Sequence, residues 1–161
     1  MLTLGKFAGQ SEKFILNHLA TKYAKGDISY ECNPEEVEKL REELKRYRII
    51  VAFESPPDDY FEESFFLLQD KGTNILYENH AYHCSCMGWE SQFNPEETTI
   101  TELLFRLKNK EEIERSINKY ETQYKDVGKL IGFGGVDTSE VETYQKQLLE
   151  FIEKLHLKLI N

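Results

Sequence analysis

The chain has 161 residues, of which 40% are hydrophobic, so it has the size of one ordinary domain with one core. Its 29 acidic and 20 basic side chains give a formal charge of −9, which repels phosphate backbones and anionic lipid surfaces. Direct nucleic-acid binding is therefore not expected, and a basic or neutral protein partner suits the charge better.

The sequence also predicts a cytoplasmic protein with free thiols. No apolar run approaches the ~20 residues of a membrane helix, and residues 1–10 lack the pattern of a signal peptide. The three cysteines are odd in number, and two of them are separated by a single residue, which is a poor arrangement for a disulfide framework.

The first half of the chain alternates between helices and strands. Residues 1–9 predict a short strand or a loosely docked tail. Ser11 to Lys25 predicts a helix that buries Phe14, Ile15, Leu19 and Tyr23, and Asp27 to Cys32 predicts a small strand. Asn33 and Pro34 then open a second helix with a buried stripe at Val37, Leu40, Leu44 and Tyr47.

Three apolar runs predict the main strands. They are Arg48 to Glu54, Ser64 to Gln69 and the run from Ile75 onward, and the turn Lys71 to Asn74 makes the last two antiparallel.

The second half predicts helices. One begins at Asn94 or at Thr99, and a further amphipathic segment covers Glu111 to Tyr124. The glycine-rich residues 127–136 predict a tight connection or hinge. The final helix runs from Asp137 or Ser139 nearly to Asn161, with a stripe at Val141, Tyr144, Leu148, Phe151, Ile152, Leu155 and Leu159 that can dock internally or form a homodimer.

These elements predict an α+β fold in a single domain over residues 1–161. A small antiparallel sheet of about three to five strands is packed by several amphipathic helices, and the C-terminal helix is long.

The central stretch Tyr77 to Thr98 holds two cysteines, two histidines and the only tryptophan. A zinc site needs about four nitrogen or sulfur ligands, and the candidates are His80, His83, Cys84 and Cys86. On a straight strand His80 and Cys86 lie too far apart to share a metal, so such a site needs a bulge or loop at 83–88. The His-Cys-x-Cys spacing is not that of a standard zinc knuckle.

The same residues allow thiol chemistry or simple packing. Cys84 or Cys86 is a candidate nucleophile with His80 or His83 as its base, although the neighbours Glu78 and Glu90 are expected to raise a thiol pKa. The packing alternative buries both cysteines, with Trp89 and Phe93 filling the turn after the strand. A third alternative is an exposed recognition surface, because aromatic and Met side chains supply contact area at low entropic cost.

The run from Phe65 to Leu107 carries a family resemblance. It contains Tyr77, then His83-Cys84-Ser85-Cys86, Gly88, Glu90, Gln92-Phe93 and Pro95-Glu96-Glu97-Thr98. It resembles small uncharacterised proteins encoded by bacteriophages and prophages, whose segment reads roughly His-Cys-Ser-Cys-Tyr-Gly-Leu-Glu, a Gln-Trp pair and Pro-Glu-Glu-Thr. The likeness covers about a quarter of the chain and departs at Met87, Trp89 and Phe93. It implies a phage or prophage setting in the host cytoplasm, and it implies no reaction.

We therefore expect a non-enzymatic intracellular protein of phage type that binds a host or phage protein and needs no cofactor. The expected contact residues are Tyr82, His83, Cys84, Cys86, Trp89, Glu90 and Phe93. The alternative is a metal- or thiol-dependent site at His80, His83, Cys84 and Cys86, catalytic or not, with zinc as the candidate metal. A small-molecule binder, based on the aromatic content and the glycine-rich loop, is a third hypothesis.

Overall fold

The computed structural model describes residues 1–27, 31–57, 60–118, 129–134 and 136–160. Within these residues the chain forms five strands and five helices. The strands are β1 (Leu2–Gly5), β2 (Tyr47–Glu54), β3 (Phe61–Asp70), β4 (Leu76–Cys84) and β5 (Glu96–Thr98). The helices are α1 (Glu12–Tyr23), α2 (Pro34–Leu44), α3 (Ile100–Lys108), α4 (Lys110–Asn118) and α5 (Thr138–Ile160). The predicted α+β class with a long C-terminal helix is confirmed.

The chain divides into two compact units. The sheet unit comprises Met1–Glu97 with Phe133–Val136, and the helical unit comprises Thr98–Gly132 with Asp137–Asn161. This division does not by itself separate one domain from two, so the single-domain prediction stays a prediction.

The strands form one sheet in the order β1-β2-β3-β4-β5. The pairs β2–β3 and β3–β4 are antiparallel as predicted, whereas β1 runs parallel to β2, with Leu2 opposite Val51. The first residues are therefore a strand and not a loosely docked tail. Phe7, just after β1, is fully buried, which fixes this end of the chain in the core.

Polar side chains cap the N-termini of the predicted helices. Ser11 Oγ accepts from Phe14 N over 3.1 Å, and Asn33 Oδ1 accepts from Glu35 N over 3.0 Å, so each satisfies an amide that the helix leaves without a partner. Thr99 Oγ1 does the same for Glu102 N over 3.1 Å. The alternative start at Asn94 is wrong, because Glu96–Thr98 joins the sheet as β5 before the helix begins.

Helix α1 places a different stripe in the core from the predicted one, since Ala20 is buried and Phe14 is not. Ile15, Leu19 and Tyr23, four residues apart, are each at most 1% exposed. Phe14 is wrong as a core residue, since it is 46% exposed and stacks on His18 at the edge of the helix, with 6.4 Å between ring centroids.

Both faces of the central strands are buried. Ala52, Phe66 and Leu68 pack with α1 and α2, while Phe133, with a φ of +53°, packs edge-on against Phe53 on the other face at 4.7 Å. Gly134 fits beside it only without a side chain, because a Cβ there would lie 2.1 Å from the Phe61 ring. The described part of the glycine-rich segment is therefore a tight connection.

The helical unit is built around α3 and α5, which pack on each other. Leu148 and Ile152 of the predicted α5 stripe are fully buried, as are Leu103 and Ile113. The described helices include none that is long and apolar enough to cross a membrane. Several predicted positions lie outside what is described: residues 28–30 of the predicted small strand, residues 119–128, and the side chains of Ile117 and Leu159.

Asn79 connects β4 to the segment that leads to β5. Its side chain is fully buried; Nδ2 donates to Gln92 O over 3.1 Å, and Oδ1 accepts from Asn94 N over 2.6 Å. One buried amide thus satisfies two backbone groups that the irregular segment cannot pair with a neighbouring strand.

We expect Asn79→Ala to lower the free energy of unfolding by about 1–3 kcal/mol, since it leaves the partly buried N–H of Asn94 and C=O of Gln92 without their side-chain partner. The matched control is Asn94→Ala, which removes only an exposed bond to Ser91 O and should cost less than about 1 kcal/mol. Urea unfolding followed by circular dichroism measures both. Equal losses would contradict the role assigned to Asn79.

Candidate functional site

Strand β4 ends at Cys84, and the chain then turns sharply. Cys84 N donates to Met87 O over 3.0 Å, and Met87 N donates to Cys84 O over 3.3 Å. Ser85 and Cys86 are therefore the two central residues of a β-turn. The sequence does not decide between a strand and a bulge over residues 80–88. The structure has a strand that ends at Cys84 and is followed by a turn.

The two histidines of β4 lie on opposite faces of the sheet, because side chains alternate along a strand. His80 packs against Phe65, with 5.1 Å between ring centroids, and His83 meets Trp89 edge-on at 4.6 Å on the other face. The four candidate metal ligands are thus not brought together. Among the described residues there is no group of three or more His, Cys, Asp or Glu side chains placed to hold a metal ion.

Each of these histidines is paired with a buried carboxylate. His80 Nε2 lies 2.7 Å from Glu78 Oε1, and His83 Nε2 contacts Glu62 Oε2. Glu78 is 1% and Glu62 7% exposed, so these contacts help to satisfy carboxylates that have lost most of their water. Both Nε2 atoms are oriented by glutamates, and neither is placed as a base for a cysteine thiol.

A third buried carboxylate, Glu54, lies at the end of β2 with no exposed surface. Tyr23 OH donates to its Oε2 over 2.7 Å, His18 Nε2 lies 2.9 Å from the same oxygen, and Lys6 Nζ lies 3.4 Å from Oε1. Burial raises the pKa of Glu54. The hydrogen bond and charge of His18 and the hydrogen bond of Tyr23 lower the pKa by more than burial raises it, so the pKa lies below the ordinary value. Glu54 is therefore ionised at neutral pH.

Tyr23 joins this carboxylate to the central stretch. Burial, followed by the charge of Glu54, raises its pKa well above the ordinary value, so the phenol remains a proton donor. Its ring stacks on Trp89 at 5.2 Å, and Trp89 is only 8% exposed. Phe93, partly buried, packs edge-on against Tyr47 at 6.2 Å. Trp89 and Phe93 thus contribute to the core, as the packing alternative predicts.

The Gln92 side chain holds the turn segment against β4. Its Oε1 accepts from Tyr82 N over 3.0 Å, and its Nε2 donates to Tyr82 O and Gly88 O, each over 2.6 Å. The amide imitates a neighbouring strand at the point where β4 has none. Ser91 completes the attachment, since its N donates to Ala24 O at the end of α1 over 2.9 Å.

Three aromatic side chains at the same end of the sheet are exposed to solvent. Tyr60 is 80%, Tyr82 52% and Phe61 42% exposed. Phe61 and Tyr82, on neighbouring strands, stack with 6.0 Å between ring centroids and 28° between planes. We call Tyr60, Phe61 and Tyr82 the aromatic patch. Because large apolar side chains seldom lie adjacent on a surface without a use, the patch is a candidate contact surface.

The thiols of Cys84 and Cys86 lie together in the turn, with 2.8 Å between sulfurs. The hydrogen bond from Cys86, followed by the amides of Cys86 and Met87, lowers the pKa of Cys84. The pKa of Cys86 is raised, first because its thiol donates that bond and then because of the charge of Cys84. The expectation that acidic neighbours raise both thiol pKa values is wrong for Cys84.

The acidic neighbours act elsewhere. Glu78 pairs with His80, and Glu90 Oε1 accepts from Gly88 N over 3.3 Å. The charge of Glu90 instead adds to burial in raising the pKa of Cys32. Cys32, Glu90, His83 and Trp89 line a cavity of about 690 Å³ between α1, α2 and the turn segment, which is within the size range of small-ligand pockets.

Two features of the site escaped the sequence analysis. The Glu54 network was missed, although a glutamate that ends an apolar strand is a signal for a buried, paired carboxylate. The exposed pair Tyr60-Phe61 was missed because it precedes the predicted start of its strand. No protein-family model, curated protein or solved structure matches the chain.

We expect Tyr23→Phe to lower the free energy of unfolding by about 1.5–3 kcal/mol, because it removes a hydrogen bond to a buried charge. The matched control is Tyr82→Phe, an exposed hydroxyl whose loss should change stability by less than about 0.5 kcal/mol. Guanidinium unfolding at neutral pH measures both, and an unchanged Tyr23→Phe protein would contradict the network.

The same pair of proteins gives a pH prediction. Because the folded-state pKa of Glu54 is lowered, its contribution to stability is present above the ordinary value of 4.5 and is lost as the pH falls through the folded value. Tyr23→Phe removes one cause of that lowering. The difference between wild-type and variant unfolding free energies should therefore be largest near pH 7 and shrink in a urea series down to about pH 3. A difference that grows in acid would contradict this assignment.

Proposed function

We propose that the protein is a non-enzymatic protein-binding domain that docks a partner bearing basic groups through the aromatic patch. The observation that carries the proposal is the exposure of Tyr60, Phe61 and Tyr82 at one end of the sheet, where the rings of Phe61 and Tyr82 stack on each other. Rings fixed before binding lose little conformational freedom on contact, which favours their use as interface anchors.

The charge of the chain supports a basic partner. The formal charge of the chain is −9, from 29 acidic and 20 basic side chains. A net negative charge of this size attracts a positively charged partner and speeds the encounter, and added salt weakens that attraction.

The expected contact residues contribute unequally to this surface. Tyr82 and Cys86 are exposed, and His83, Cys84 and Glu90 are partly exposed. Trp89 is buried and stacks on Tyr23, so it positions the turn segment and forms no part of the exposed surface. The sequence predicts Trp89 and Phe93 as aromatic contact residues, whereas Tyr60 and Phe61 are the aromatic side chains exposed beside Tyr82 at this end of the sheet.

The setting follows from the resemblance to phage and prophage proteins. On that basis the partner is a host or phage protein in the host cytoplasm. Homodimerisation through α5 stays a prediction. Zinc binding at the β4 cysteines and histidines also stays a prediction, and elemental analysis of protein purified without chelator tests it.

A second candidate function is thiol chemistry at Cys84 and Cys86. One observation favours it: the two sulfurs are in contact in an accessible turn. It needs no protein partner, so it stands or falls separately from the aromatic patch.

We expect the double substitution Tyr60→Ser and Tyr82→Ser to abolish partner capture without unfolding the protein. The matched control is Phe14→Ser, which removes an aromatic ring of similar exposure, 46%, from α1. Each protein is immobilised and exposed to lysate of a bacterial host, and captured proteins are identified by mass spectrometry at low and high salt.

A specific basic protein that is retained by wild type and control, lost by the double variant and released by salt is the expected result. Capture of the same proteins by all three, or of none by folded wild type, would contradict the proposal.

A further inference from the structure

The turn after β4 contains two thiols that no packing role explains. Cys86 is exposed and Cys84 is partly exposed, so neither has the surroundings of a cysteine that serves as a small core residue. Their sulfurs are 2.8 Å apart, which is closer than an ordinary van der Waals contact between sulfurs. Cys32 differs, since its Sγ is 3.3 Å from Ala24 O and burial raises its pKa.

The backbone of the turn is compatible with a bond between these sulfurs. Cys84 and Cys86 are the first and third residues of the β-turn closed by Met87, so the chain bends between them. Two bent 3.8 Å steps separate their Cα atoms by about 5 to 6 Å, within the range that disulfides span.

We propose that Cys84 and Cys86 form a redox-active dithiol that is oxidised reversibly to an intramolecular disulfide by a low-molecular-weight or protein disulfide. The dithiol rests on the second candidate function above, to which it gives a definite reaction, and it requires neither the aromatic patch nor a docked partner.

The step is a two-electron thiol–disulfide exchange. The Cys84 thiolate attacks one sulfur of the substrate disulfide RSSR, whose S–S bond breaks and releases RS⁻. Cys86 loses its proton to solvent or to the departing thiolate and attacks the Cys84 sulfur, which releases the second RS⁻. The protein dithiol is oxidised by two electrons, and RSSR is reduced to two RSH.

The geometry also assigns the order of attack. The sulfur of Cys84 receives hydrogen bonds from the Cys86 thiol and from the turn amides, which lowers its pKa and favours its thiolate. Cys86 keeps its proton until Cys84 is engaged, and it is more exposed, so it is suited to resolve the mixed disulfide. A disulfide across one intervening residue closes a small strained ring, and strained, exposed disulfides are readily reduced again.

The test uses the reduced full-length protein and glutathione disulfide as the probe. Samples are quenched in acid, denatured, alkylated and weighed intact by mass spectrometry. Wild type and the control Ser85→Ala should each lose two hydrogens and keep one alkylatable thiol, Cys32, and dithiothreitol should restore all three thiols. Cys32→Ser should form the disulfide at the wild-type rate.

The single variants separate the two roles. Cys86→Ser should accumulate a stable mixed disulfide of Cys84 with glutathione. Cys84→Ser should react about tenfold more slowly, because its remaining thiol has lost the low-pKa partner.

Three results would overturn the proposal. They are three alkylatable thiols in wild type after the incubation, a disulfide that disappears in Cys32→Ser, and stable glutathione adducts on wild type at the level seen in Cys86→Ser. All variants change accessible or partly accessible side chains, and circular dichroism verifies that each protein compared is folded.

Discussion

The structure of the sheet unit depends on a carboxylate that is buried and still charged. Glu54 has no exposed surface; Tyr23 and His18 of α1 hydrogen-bond its Oε2, and Lys6 after β1 forms an ion pair with its Oε1. Removing such a charge from water costs several kcal/mol unless hydrogen bonds replace the water. The groups that replace the water lie on α1 and just after β1, so both elements must take one arrangement over the end of β2. The carboxylate thereby selects one packing of the helix on the sheet.

That arrangement extends to the surface through aromatic contacts. Tyr23 donates to Glu54 and stacks on Trp89, and Trp89 meets His83 of β4 edge-on. Because His83 is in turn held by Glu62, the end of the β3–β4 pair is fixed on its inner face by polar contacts. The opposite face of the same strand end carries Tyr82. Side chains held on so constrained a strand pair have little conformational freedom to lose on contact, and this supports the proposal that the aromatic patch binds a partner.

Local chemistry was predictable where a few neighbouring residues determine the structure. The caps at Ser11 and Asn33 and the hairpin at 71–74 follow from side chains that satisfy nearby amides or fit a turn. The start at Thr99 competed with an equally plausible one at Asn94, and only the pairing of Glu96–Thr98 with the sheet decides between them. Pairing between distant segments is a tertiary effect that a local pattern does not contain.

The candidate site was predictable in its location but not in its chemistry. Alternation along β4 correctly separates His80 from His83, because a strand has a period of two. The glutamates that contact those rings were not predictable. Glu62 comes from another strand, and a charged residue is ordinarily expected at the surface. The pKa of Cys84 depends on a hydrogen bond from two residues away, which charge counting along the sequence does not reveal.

Hydroxyl-radical footprinting of the aromatic side chains, with and without a captured partner, shows directly which rings are exposed and which are covered on binding. We expect strong labelling of Tyr60 and Tyr82 in the free protein, weak labelling of Tyr23 and Trp89, and protection of Tyr60 and Tyr82 alone when the partner is bound. If Trp89 were labelled as strongly as Tyr82, or if Tyr60 and Tyr82 kept their labelling in the complex, a rigid frame that presents an aromatic contact surface would be the wrong description.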